Sequence, residues 1–189
     1  MTDKSDNISE TLVESKNIFN GDFLRVMNDT IKLPDGKLAT REWVKFGRAS
    51  AIIVITGNNE IILERQYRHP VGKIMIEIPA GKTEAHENPL DSARRELLEE
   101  TGYSAKTWIE LGTCFPCIGY SNEAITYFLA KDLTSGQATL DDGEFLEVFK
   151  LPFTECMDMV YSNQINDSKT LSGLVLYQGY LLKNQLRVK

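Results

Sequence analysis

Glu96, Glu99 and Glu100 stand almost side by side, behind Glu87 and Arg95, in a stretch closed at either end by Gly81 and Gly102. On a helix, at about 100° per residue, Glu96 and Glu100 share one face a turn apart and Glu99 flanks them. Carboxylates this close repel one another, and their pKa values rise unless a cation neutralises them. Clustered hard oxygen donors suit Mg2+, or Mn2+ in its place, ions that also clamp pyrophosphate oxygens. Arg95 lies one turn before Glu99 and can hold that carboxylate by a charge-assisted hydrogen bond. A solvated acidic helix face is the commoner fate of a glutamate-rich stretch. Here the spacing, the arginine and both glycines occur together, which favours the metal reading.

A helix must carry these residues, and its ends are written in the chain. Asn88 is a good N-cap, Pro89 suits the first helical position, and Asp91 follows the cap as in a capping box. Gly102 stands where a helix usually ends in a left-handed residue. The expected helix therefore runs from Pro89 to Thr101, with Leu90, Ala93 and Leu97 as the apolar stripe that docks it on a core.

Strand patterns surround it. Phe23–Lys32 and Leu38–Phe46 flank the turn Leu33-Pro34-Asp35-Gly36-Lys37, a hairpin pattern. Ala51–Thr56 is continuously apolar up to Gly57-Asn58-Asn59 and reads as a buried central strand, with Glu60–Tyr67 pairing back from that turn. Ile74–Ile78 leads into the acidic stretch. Trp108–Phe115, Ala124–Ala130 and Phe145–Leu151 are further strands, and helical patterns near Phe153–Tyr161 and Lys169–Lys183 close the chain. This mixed order predicts an α+β fold.

The chain has 189 residues, with 42% hydrophobic and 25% charged residues, globular values for one ordinary domain with room for a small appendage. A net charge of −6 argues against a nucleic-acid binder, which needs a basic face. It permits a phosphate substrate, because metal and a few placed arginines invert the local field. The polar segment Met1–Asn17 reads as neither signal peptide nor anchor, and no apolar run approaches the ~20 residues of a membrane helix, so a cytoplasmic location without membrane attachment is expected. Cys114 and Cys117 form a C-x-x-C pair without a second pair at zinc spacing, and we read it as incidental.

The stretch from Gly81 to Tyr103 is glycine, five residues, glutamate, seven residues, then Arg-Glu-Leu-x-Glu-Glu-x-Gly-aromatic. It resembles, at all its fixed positions, the Nudix box of hydrolases acting on nucleoside diphosphates linked to another group. The likeness extends from about Phe23 onward to the ADP-ribose pyrophosphatase branch. Glu64-Arg-Gln-Tyr-Arg68 and Glu77-Ile-Pro-Ala80-Gly81 precede the box, and Gly119-Tyr-Ser-Asn-Glu123 and Asp142-Gly-Glu144-Phe-Leu-Glu147-Val follow it. The resemblance implies a Nudix α/β/α sandwich with a mixed β-sheet over residues 48–189. Ahead of it, residues 1–47 would be a small N-terminal β-subdomain acting as a dimerisation arm, often swapped across a homodimer.

It also implies roles. Glu96, Glu99 and Glu100, with the Ala80 carbonyl, would hold Mg2+ (Mn2+ possible), and Glu77 matches a carboxylate near the metals. Arg95, with Glu99, Glu100 and Glu144, would make up the catalytic set. Glu144, on a loop after the box, would be the base, with Glu147 the competing candidate. Arg48 and Arg68 match arginines near the diphosphate and terminal ribose, and Arg41 is a weaker match. Phe23 and Trp43 would sandwich the base, although Trp43 reads equally well as a core or interface residue, and Phe23 somewhat better so. The implied reaction is hydrolysis of a small nucleoside diphosphate sugar, ADP-ribose giving AMP and ribose 5-phosphate.

One position departs from the pattern. Ile118 precedes Gly119 where the branch usually has proline, and Pro116 stands two residues earlier. That bears on the sugar and leaves open a GDP-mannose-type hydrolase. A catalytically dead ADP-ribose sensor is a more distant alternative, since it would be expected to lack box carboxylates that this chain retains.

Overall fold

β4 (Arg48–Val54) is buried from its second residue onward because it has neighbours on both faces, which is why its sequence is continuously apolar rather than alternating. It belongs to a four-stranded sheet ordered β7 (Ala80–Lys82), β4, β9 (Ala124–Ser135), β8 (Tyr103–Cys114). β4 runs parallel to β9 and antiparallel to β7, so the sheet is mixed. A second, antiparallel sheet is ordered β10 (Leu146–Pro152), β5 (Glu60–Arg68), β6 (Lys73–Glu77). This computed structural model describes residues 8–186; the first seven residues of the polar amino-terminal segment, and the last three of the chain, lie outside it.

Two apolar clusters follow from the period of two along the strands. Ile52, Val54, Ile62, Phe128 and Ala130 pack against Ala93 and Leu97 of α1 (Pro89–Thr101). The alternate residues Ile53, Leu63, Tyr127 and Leu129 face the other way, where α2 (Phe153–Tyr161) contributes Cys156 and Met157 and α3 (Ser168–Leu186) contributes Leu174 and Tyr177. Helices thus cover both sides, as the α+β sandwich reading expects. None of the described helices is long and apolar enough to cross a membrane.

The remaining sheet is β1 (Thr11–Asn20), β2 (Arg25–Lys32), β3 (Leu38–Lys45), all antiparallel. It forms its own compact unit, Met1–Gly47 joined by Cys117–Glu123, apart from the unit of Arg48–Pro116 and Ala124–Lys189. The later segment is tied into the first unit by the Val44 N–H donating to the Tyr120 carbonyl at 2.7 Å and the Phe46 N–H to Asn122 Oδ1 at 2.8 Å.

One expected pairing is different. The Thr56–Glu60 turn forms, with the Thr56 N–H donating to the Glu60 carbonyl at 2.9 Å, but only Ile55 and Ile61 bridge across it. β7 and β9 have taken both edges of β4, so β5 turns away and pairs with β6 and β10.

Candidate active site

The geometry of α1 starts with its caps. Asn88 Oδ1 accepts the Asp91 N–H at 3.0 Å, and Gly102 (φ 72°) donates its N–H to the Leu98 carbonyl at 2.9 Å. Such an N-cap contributes about 1 kcal/mol. Ser50 Oγ of β4 donates to the Pro89 carbonyl at 2.7 Å, fixing the helix start to the central strand. Ala93 and Leu97 are fully buried. Glu96 and Glu100, on the adjoining face, are thereby aimed at the entry of β7 rather than at solvent.

Arg95 organises the loop. Its Nε and Nη2 donate to the two carboxylate oxygens of Glu87 at 3.1 Å each, and Nη2 also donates to the Lys82 carbonyl at 2.9 Å. Nη1 lies 2.8 Å from Glu96 and 2.9 Å from Glu99. Glu87 in turn accepts the Glu84 N–H at 3.0 Å. The Arg95 hydrogen bonds hold the Glu87 carboxyl below the usual carboxylate range. A Cβ on Gly81 would overlap the Glu96 carboxylate, so a larger residue there displaces that side chain.

Five glutamates from four places in the chain converge electrostatically around this point. Glu100 Oε2 accepts the Ala80 N–H at 3.0 Å. Burial, then repulsion from Glu64, Glu96 and Glu144, pushes the Glu100 carboxyl far up. Burial, with Glu99 and Glu144 adding to it against the pull of Arg95, raises Glu96 to about 7. Glu64 of β5 is raised as well, by burial first and then by Glu144 and Glu77 against Lys169. Glu77 is the exception. Burial works against its ionisation, yet Arg68, bonded through Nε and Nη2 at 2.7 and 2.8 Å, and Lys169 at 2.9 Å hold it down to about 2.

Glu144 sits in the loop before β10, beside Gly143 (φ 85°), and accepts from Gln66 Nε2 at 3.2 Å. Its charge is felt at Glu64, Glu96 and Glu100. Glu147 lies in β10 opposite Arg65, to which it is bound at 3.0 Å, and so faces away from Glu64. Arg48 is exposed at the start of β4, and its carbonyl accepts the Thr83 N–H at 2.9 Å. The other named residues belong to the amino-terminal unit. Trp43 is half-buried and donates Nε1 to Asp29 at 2.7 Å; Phe23 packs edge-on to Phe46 at 5.6 Å between ring centroids. Arg41 is exposed and paired with Glu10, and Ile118 is 84% exposed.

The donor set fits a hard divalent cation: oxygen only, mostly carboxylate, with one buried oxygen, Glu64 Oε1, lacking any hydrogen-bond partner. Among the described residues no three His, Cys, Asp or Glu side chains stand together as a finished cation cage. Glu96 and Glu99 are turned to Arg95 and Glu100 to Ala80, so a cation would be taken up by exchanging partners. Glu64, Gln66 and Lys169 are the residues that motif reading passed over. The signal for Glu64 was a carboxylate directly continuing the apolar run Ile61-Ile62-Leu63. A cavity of about 490 Å³, lined by Thr56, Tyr103, Lys131 and Lys150 among others, opens at the far end of β4 and holds none of these carboxylates.

Comparison with known proteins agrees with this geometry. The NUDIX domain matches residues 45–171, and the nucleoside diphosphate sugar hydrolase N-terminal domain matches residues 10–44. An ADP-ribose pyrophosphatase of Bacillus subtilis is 34% identical over 173 residues, covering 90% of this chain and 94% of its own. A methanol dehydrogenase activator of Bacillus methanolicus is 37% identical over 171 residues, 89% of this chain and 92% of its own. The crystal structure of an ADP compounds hydrolase superposes with a TM-score of 0.82 at 20% identity, over 93% of this chain and 95% of that one, a likeness of fold.

Proposed function

Since the chain belongs to the Nudix hydrolases and carries the N-terminal domain of nucleoside diphosphate sugar hydrolases, we propose that it hydrolyses ADP-ribose to AMP and ribose 5-phosphate. The observation that carries this reading is the placing of the box carboxylates against the box loop, Glu96 beside Gly81 and Glu100 on the Ala80 N–H, with the charges of Glu64 and Glu144 adding to those that raise Glu100. So dense a negative cluster has a use where cations and a phosphoanhydride meet.

Glu96, Glu99, Glu100 and the Ala80 carbonyl would hold Mg2+ or Mn2+. When bound, such an ion neutralises charge on the phosphates and acidifies water. Glu144 removes the proton of the attacking water, its carboxylate steadied by Gln66. Arg48 and Arg68 bind phosphate oxygens through their planar donor forks; Arg68 has side-chain exposure of 42%, which leaves part of its guanidinium open while it holds Glu77. Arg95 keeps the box loop in place. Trp43 and Phe23 stack on the adenine, a contact of roughly 1–3 kcal/mol per base.

The same reading makes the chain a homodimer. The outer sheet leaves Leu12, Val13, Ile18 and Phe19 each more than half exposed, an apolar surface that a second copy would cover.

Product analysis with ADP-ribose, ADP-glucose, GDP-mannose and dinucleotides, with Mg2+ and after chelation, tests the proposal. AMP and ribose 5-phosphate from ADP-ribose, formed only with the cation, is the expected outcome. Preference for GDP-mannose would replace the substrate, and turnover that survives chelation would remove the mechanism.

A further inference from the structure

Glu64 is out of place for a structural residue. It follows Ile61, Ile62 and Leu63 in β5 and is itself only 3% exposed. Across the ladders its partners are Glu77 of β6 and Val148 of β10. Ile62, two residues earlier and so on the same face, packs on Ala93 and Leu97 of α1. An aliphatic residue at position 64 would continue that packing at no electrostatic cost. The carboxylate instead brings a buried oxygen, Oε1, that no hydrogen bond satisfies. An unsatisfied buried polar group is destabilising, and more so when charged.

The neighbouring glutamates are all provided for. Glu77 has Arg68 and Lys169, Glu96 has Arg95, and Glu100 has the Ala80 N–H. Among charged groups, Glu64 is the largest acting on Glu100. It therefore faces the α1 carboxylates from the strand side, without a partner of its own.

We infer that Glu64 is a further carboxylate of the cation site, offering Oε1 from β5 across from Glu96 and Glu100 of α1. This rests on the cation-dependent reading above. A hard divalent ion prefers oxygen donors from more than one direction, and α1 supplies them from one side only. The orphaned oxygen is then a ligand awaiting its ion, or one that steers a ligand carboxylate beside it. Either way, its loss weakens the ion's hold.

Mn2+ binding to the full chain, followed by electron paramagnetic resonance of the free ion without substrate, tests this. Wild type, Glu64→Gln, Glu64→Leu and Glu100→Gln would be compared, together with the Tm of each in chelator and in Mn2+. Both Glu64 variants are expected to weaken Mn2+ binding about 10–100-fold, the range for groups that orient or supplement metal ligands. They should also melt no lower than wild type in chelator, yet gain less from Mn2+. If Glu64→Leu does not fold, the near-isosteric Glu64→Gln carries the test. Wild-type affinity and stoichiometry in Glu64→Gln, with binding weakened in Glu100→Gln, would make Glu64 a buried structural acid and leave the enzyme reading intact. Absence of Mn2+ binding in wild type would overturn both.

Discussion

Glu100 accepts the backbone N–H of Ala80 at 3.0 Å, so the last turn of α1 and the first residue of β7 are tied by a catalytic candidate rather than by an inert side chain. The tie has a consequence for mutation. Glutamine keeps an acceptor for that N–H but removes a charge that burial, Glu64, Glu96 and Glu144 all oppose. Glu100→Gln should lose more than about 100-fold in turnover while its Tm in chelator stays level or rises. A variant that melts well below wild type would make Glu100 structural. Thermal unfolding beside a phosphate-release assay separates the two.

Stability should depend on pH in a way that reports the cation. The folded Glu96 carboxyl binds its proton more tightly than the unfolded one, rising from 4.5 to about 7. Its contribution is complete below the unfolded value and is lost as pH climbs through the folded one. That swing is on the order of 3 kcal/mol, and Glu64 and Glu100 act in the same direction. Chelated protein should therefore melt lower at about pH 8 than at about pH 5.5, with Mg2+ restoring the difference at the higher pH only. A flat chelated Tm across that range would mean the carboxylates do not crowd one another.

Glu77 has the opposite sign. Its folded carboxyl is held down to about 2 against an ordinary 4.5, so its stabilisation is present above the ordinary value and disappears as pH falls through the folded one. Wild type should lose on the order of 3 kcal/mol over that acid window through this group alone. Glu77→Gln should be less stable at neutral pH by a comparable amount and should lack this acid-dependent part. Urea unfolding at stepped pH would show the two curves converging on the acid side.

Two neighbouring arginines offer a contrast in magnitude. Arg94 makes an exposed pair with Asp91 at 3.3 Å, and Arg95 makes half-buried bonds to Glu87, Glu99 and the Lys82 carbonyl. Arg94→Ala should change stability by less than about 0.5 kcal/mol. Arg95→Lys cannot reproduce the fork and should cost about 2–3 kcal/mol, with activity falling as the box loop loosens. Equal effects from the two would deny Arg95 its organising role.

Legibility tracked how local each signal was. α1 was readable to the residue, since Asn88, Pro89, Asp91 and Gly102 act through bonds within a turn of themselves. β1 was not, because every residue in it is exposed and its apolar residues, Leu12, Val13, Ile18 and Phe19, come in adjacent pairs that do not alternate. The β5 pairing failed for a different reason: it depended on which other strands occupy the two edges of β4. The carboxylates on α1 were visible from spacing. Glu64 became visible only when the fold placed it against α1 and left its Oε1 without a donor.

The same limit applied to the choice of base, where sequence left Glu144 and Glu147 both open. In the fold they have different surroundings, Glu147 within β10 opposite Arg65 and Glu144 in the loop before it. Glu147 is spent on Arg65, whose guanidinium also lies over the Phe149 ring at 3.9 Å. Glu144 is held by Gln66 and presses on Glu64, Glu96 and Glu100. A general base contributes typically about 10²–10⁴-fold. Glu144→Gln should therefore lower kcat by that order with little change in KM. Glu147→Gln should leave kcat within about twofold, since it breaks only an exposed pair. Gln66→Leu should fall between them, lowering kcat by loosening Glu144 without removing it. Should Glu147→Gln prove the damaging variant, the proton must leave on the Arg65 side, and the cluster beside α1 would bind without performing the deprotonation.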